Sequence, residues 1–139
     1  SKNKPNKVDC AIAKVLPNAK VSATPMRKVG RLASGEVIEA TPGMKVHKVG
    51  RTTSYTTGIV QDVNADVTVA YEVGAITFQD QIVIIGDAGS FSDSGDSGSM
   101  IVDRATRRPT ALLFAGSASH TIANHMQDVL DALAVEIVR

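Results

Sequence analysis

The chain has 139 residues, of which 43% are hydrophobic and 21% charged, with a formal net charge of +1; a domain of this size buries roughly 70% of its unfolded surface and needs no metal or disulfide staple. Without a long block of one charge sign, an apolar run near the ~18 residues of a membrane span or any tryptophan, the composition argues against a nucleic-acid partner and a membrane partner. The single cysteine, Cys10, precludes an intrachain disulfide and favours a reducing, cytoplasmic compartment.

In chain order, residues 8–16 (VDCAIAKVL) are a compact apolar strand candidate interrupted by one acid and ended by Pro17, with Pro25 in the polar connector beyond. Residues 45–51 (KVHKVGR) alternate as a strand with one wet face should. Residues 56–63 and 67–71 read as a strand pair turned at Asn64-Ala65-Asp66. The continuous apolar run 81–86 (QIVIIG) reads as a strand buried on both faces, and residues 99–102 and 110–114 as a hairpin closed by the polar turn 103–109.

Only the last segment changes period. Asn124 has the form of a helix cap with Gln127 three residues on, and Ile122, Met126, Val129, Leu130, Leu133 and Ile137 follow at helical spacing. The sum is an all-β fold, a small sandwich or barrel of six or more strands, followed by one C-terminal helix.

The stretch FSDSGDSGSM, residues 91–100, packs small residues and aspartates around Ser97 just before an apolar strand. Gly95 can take a backbone conformation closed to residues with a Cβ. That conformation lets the N–H groups of Gly95 and Ser97 converge on one oxygen, and Gly98 leaves room beside the hydroxyl. Such a corner serves a serine nucleophile; a Gly/Ser loop with no chemistry has the same letters. Elsewhere Asp62, Asp66 and Asp80 stand singly, without metal-ligand spacing, so no cofactor is expected. Cys10 reads as a small core residue.

With its GDSG at residues 95–98, the chain resembles the trypsin/chymotrypsin-like serine proteases, in the style of disulfide-free bacterial members. Residues 8–15 are similar to the family's strand that bears the catalytic aspartate, and residues 46–60 (VHKVGRTTSYTTGIV) to the strand-loop-strand that opens its second barrel. The resemblance implies that Ser97 attacks, Asp9 orients the base, and Gly95 with Ser97 forms the oxyanion hole. It makes Asp96 a structural acid of the nucleophile turn. It places Phe91 and Ser92 in the first substrate pocket, with Phe91 at its base and Asp93 nearby, and makes Phe114, Ala115, Gly116 and Ser117 the edge that pairs with substrate backbone. It divides the chain into the last strand of a first barrel plus linker (1–26) and a second barrel with C-terminal helix (27–139), the first barrel being largely missing.

The family's chain order puts the histidine before Asp9, and no histidine lies among the eight residues that precede it. His47 falls on one face of a strand, while His120 and His125 flank the terminal helix. The expectation is therefore a serine endopeptidase fragment, acting on protein or peptide substrates, whose histidine lies on an N-terminal protease segment upstream. The isolated chain is expected to be inactive without that segment. The alternative is a non-catalytic module, a pseudoprotease that holds a peptide without cutting it.

Overall fold

The computed structural model describes residues 5–22, 26–33 and 36–138. Among the described residues, six strands, β1 (Lys45–Gly50), β2 (Ser54–Tyr71), β3 (Gly74–Gly86), β4 (Met100–Asp103), β5 (Pro109–Gly116) and β6 (Thr121–His125), precede helix α1 (Met126–Leu133). All pairs are antiparallel, and the ladder β1-β2-β3-β6-β5-β4 closes on itself through Val46 and His47 of β1 against Asp103 and Val102 of β4. Closure removes the exposed edges that a six-stranded open sheet would carry.

Inward residues of every strand meet in one core that includes Val46, Val60, Ile82, Ile84, Ile101, Ala111, Leu113 and Ala123. Fully burying each valine, leucine or isoleucine side chain stabilises the fold by about 1.5–3 kcal/mol. The run 81–86 is buried from Gln81 to Val83 and at Ile84, whereas Ile85 surfaces on the barrel exterior. Helix α1 lays Met126 and Val129 against the barrel.

Four expectations change. Residues 56–71 belong to one long strand, not two: the β2–β3 ladder absorbs the polar stretch at Asn64-Ala65-Asp66 in register shifts between Val60 and Val67, the behaviour of β-bulges. β1 has no wet face in its middle, since Val46, His47 and Lys48 are all buried. Asn124 does not cap α1. It lies in β6, and His125 takes the cap position without a side-chain bond.

Residues 8–16 form no strand. A strand needs a neighbour for its main-chain groups; within this segment the hydrogen bonds to the barrel, among the described residues, are those of Asp9 with Asn124 and Tyr71. The other main-chain contacts lie just before it, at Asn6 and Lys7. An isolated bridge joins Asn6 to Phe78, the Gln79 N–H donates to the Asn6 carbonyl at 2.8 Å, and Gln81 Nε2 donates to the Lys7 carbonyl at 2.7 Å. Beyond Cys10 the apolar side chains of Ile12, Val15, Leu16 and Val21 stand exposed. Pro25 lies outside the described residues.

Candidate active site

The turn between β3 and β4 carries the residues that the sequence singles out. Gly95 and Gly98 both have left-handed backbone, φ +98° and +89°, so Asp96-Ser97 is set between two corners that residues with a Cβ rarely adopt. Crowding adds to this at Gly95, where a Cβ would lie 2.4 Å from Thr52 Oγ1. Within the turn the Asp96 N–H donates to the Asp93 carbonyl at 3.0 Å and the Gly98 N–H to the Leu113 carbonyl at 2.8 Å. The N–H groups of Gly95 and Ser97 have no main-chain acceptor among the described residues.

Asp96 is fully buried and saturated with donors. Its carboxylate accepts from the N–H groups of Thr52 (2.8 Å), Thr53 (3.2 Å) and Asp93 (3.0 Å) and from Thr53 Oγ1 (2.6 Å). Burial pushes this carboxyl upward, but the bonds from Thr53 and the three amides outweigh it and hold it at about 2. The Lys48 ammonium, also fully buried, lies 3.9 Å from Asp96 Oδ2 and donates to Thr53 Oγ1 at 2.6 Å and the Ser54 carbonyl at 3.2 Å. Residues 48–54 thereby wrap the acid that precedes Ser97. Gly50 is required there: a Cβ on it would lie 2.3 Å from Asp96 Oδ1.

Ser97 is exposed, and its hydroxyl donates to the Phe114 carbonyl at 3.3 Å. It lines a cleft of about 560 Å³ with Ser92, Asp93, Phe114, Ala115, Gly116 and Ser117, and with Val69, Ala70 and Tyr71 from the far end of β2. Of the lining residues, Ser92 has its hydroxyl 2.5 Å from that of the buried Thr121, and Ser90 Oγ donates to the Ala118 carbonyl at 2.6 Å.

Phe91 is a correction. It is buried in the barrel core and does not line the cleft. Its ring fills the space over Gly58, where a Cβ would lie 2.8 Å from Phe91 Cδ2, and its carbonyl accepts from Thr56 Oγ1 at 2.7 Å. A glycine inside the strand pattern TTGIV was the available signal, because such glycines mark close approach of another group.

Asp9 reaches the cleft through another residue. Its main chain pairs reciprocally with the buried Asn124 side chain: the Asp9 N–H donates to Oδ1 at 3.1 Å, and Nδ2 donates to the Asp9 carbonyl at 2.9 Å. Its carboxylate accepts from the Tyr71 hydroxyl. Burial, then the Asp9 hydrogen bond and charge, push the Tyr71 phenol up to about 12. Nothing in the sequence marks Tyr71, Asn124 or Lys48 for these roles, although Asn124 reads as a helix cap and Lys48 lies in the stretch 46–60; only the fold brings them to these places.

None of the three histidines lines the cleft. His47 is buried, with Nδ1 3.1 Å from the Tyr55 hydroxyl. His125 Nε2 donates to the Val63 carbonyl at 2.8 Å, and His120 is exposed with Nδ1 2.8 Å from Ser119 Oγ. Cys10 is half-buried, and burial, then the neighbouring Asp9 charge, pushes its thiol up, the opposite of nucleophile activation. No group of three or more metal-ligating side chains clusters among the described residues.

The family model described as the Nal1 C-terminal domain matches residues 7–130. No curated protein matches the sequence. The fold is similar to that of Thermobifida fusca protease A, with TM-score 0.64 and 20% identity over 82% of this chain and 59% of that one. Cellulomonas bogoriensis chymotrypsin gives TM-score 0.63 and 21% identity over 81% and 59%. A glutamic acid specific serine protease, described as using a histidine triad in substrate binding, gives 0.63 and 23% over 88% and 64%. The barrel is thus a trypsin-like one, and the chain spans about three-fifths of the length of these structures.

Proposed function

The chain belongs to the Nal1 C-terminal domain family, and from that footing we propose that it is the nucleophile-bearing part of a serine endopeptidase. One observation carries this reading: Ser97 and Tyr71, the partner of the Asp9 carboxylate, line a single cleft. In the proposed reaction Ser97 Oγ attacks the substrate carbonyl carbon and passes its proton to a histidine from an upstream segment. The N–H groups of Gly95 and Ser97 hold the oxyanion. Collapse breaks the C–N bond, the amine leaves with the proton, and water then hydrolyses the acyl-enzyme by the same route.

Each oxyanion donor in such a site is worth about 3–4 kcal/mol of transition-state stabilisation. The edge at Phe114 to Gly116 supports backbone pairing with an extended substrate. Asp93 is the one charged side chain among the described residues of the cleft, which favours uncharged or basic substrate side chains over acidic ones.

A second reading is the non-catalytic peptide-binding module, favoured by the lack of any described histidine in the cleft. Peptidase assays on the complete gene product and its Ser97→Ala form separate the two. Cleavage that disappears in Ser97→Ala supports the protease; peptide binding by both forms without cleavage supports the module.

A further inference from the structure

We infer that Tyr71 is the positioning residue that fixes the Asp9 carboxylate at the edge of the Ser97 cleft. The inference rests on the protease reading and adds a part to it. Asp9 sits on a segment without regular secondary structure, so no strand ladder dictates where its side chain points. Asn124 holds only its main chain. The one side-chain hydrogen bond that its carboxylate receives among the described residues comes from Tyr71, at Oδ2.

Tyr71 is well placed for that work. It is the last residue of β2, paired with Gly74 across a two-residue turn. Its ring leans on Phe78, with centroids 6.3 Å apart, and Phe78 meets Phe114 edge-on at 5.1 Å. The Phe114 carbonyl is the acceptor of the Ser97 hydroxyl. Packed rings therefore run from Tyr71 to Phe114, and the hydrogen bond to the Phe114 carbonyl adds the link to Ser97.

The chemistry follows from the inventory of donors and acceptors. A phenol that ionises only near pH 12 is a donor at every working pH. With Oδ2 occupied by that donor, Oδ1 remains to accept an imidazole N–H, and the carboxylate presents a single face to its base. A histidine brought by another segment would then find its orienting acid already aimed.

The test compares the complete gene product with its Tyr71→Phe form, which keeps the ring packing and deletes the hydroxyl. A hydrogen bond to a charged group corresponds to a fall in kcat of roughly 10- to 100-fold. The expected result is such a fall with KM within about twofold of wild type. Unchanged kcat in an active enzyme would overturn the role of Tyr71 and leave the protease reading standing, whereas an inactive wild type would overturn both. Should Tyr71→Phe fail to fold, ultraviolet titration of the two tyrosines decides. Asp9→Asn is expected to lower the Tyr71 ionisation in part, burial still holding it above its ordinary value, and an unaltered titration would refute the contact.

Discussion

Lys48 and Asp96, both without solvent exposure, face each other 3.9 Å apart beneath the turn that presents Ser97. Thr53 Oγ1 stands between them, accepting from the ammonium at 2.6 Å and donating to the carboxylate at 2.6 Å. Burial lowers the Lys48 ammonium from its ordinary range while the Asp96 charge raises it. Removing one partner of a buried ion pair typically destabilises by about 3–5 kcal/mol, because the other charge is left in a dry site. Lys48→Met is expected to lose close to 3 kcal/mol in urea unfolding, since Asp96 keeps its four hydrogen-bond donors. The loss in the Lys48→Met, Asp96→Asn double variant should be clearly smaller than the sum of the single losses.

His47 supplies a pH dependence. Burial, then the nearby Arg104 charge, lower its imidazole from 6.5, and Asp103 only partly offsets them. Its Nε2 is buried without a partner, so the folded protein favours the neutral ring. The contribution to stability is complete above the unfolded value near 6.5 and is lost as pH falls through the lower folded value. Unfolding free energy should therefore decline as pH falls from about 7.5 to about 5. In His47→Leu that slope should flatten; equal slopes in both proteins would contradict this account.

Gly95→Ala tests the corner itself. The new methyl meets Thr52 Oγ1 at 2.4 Å on a backbone with φ +98°, so the turn must open or shift. Loss of one aligned oxyanion donor corresponds to about 10²–10³ in kcat. We expect a fall of that size in the complete gene product while the circular dichroism of the barrel stays unchanged. Activity within tenfold of wild type would mean that Gly95 holds no part of an oxyanion site.

Much of this was legible in the chain where a local pattern settles the outcome. The strand at residues 45–51, the hairpin around residues 103–109 and the helix after Ile122 each follow from a local pattern, and strands or helix lie there, although the wet face that the alternation at 45–51 implies is buried at His47 and Lys48. The corner at Gly95 to Gly98 was readable because a glycine reports a backbone angle directly. Partners were not readable. Residues 8–16 have a strand's letters but too few main-chain contacts to form one. Asn124 looks like a cap yet spends its amide on Asp9, 115 positions away. The polar letters at Asn64 to Asp66 signal a turn; Asp62 Oδ1 instead accepts the Asn64 N–H at 2.9 Å within a bulged strand. Phe91 is a partial case: Gly58 signals a close approach of another group but not which side chain makes it.

The central claim is that Ser97 is an activated nucleophile once a histidine joins the cleft. A fluorophosphonate probe reads this directly: attack by a serine oxygen on phosphorus displaces fluoride and leaves a covalent adduct that mass spectrometry can locate. The complete gene product should label rapidly at Ser97 and at no other serine, residues 1–139 alone should label slowly, and Ser97→Ala should not label. A complete gene product whose Ser97 stays unmodified, or whose adduct maps to a different residue, would contradict the account.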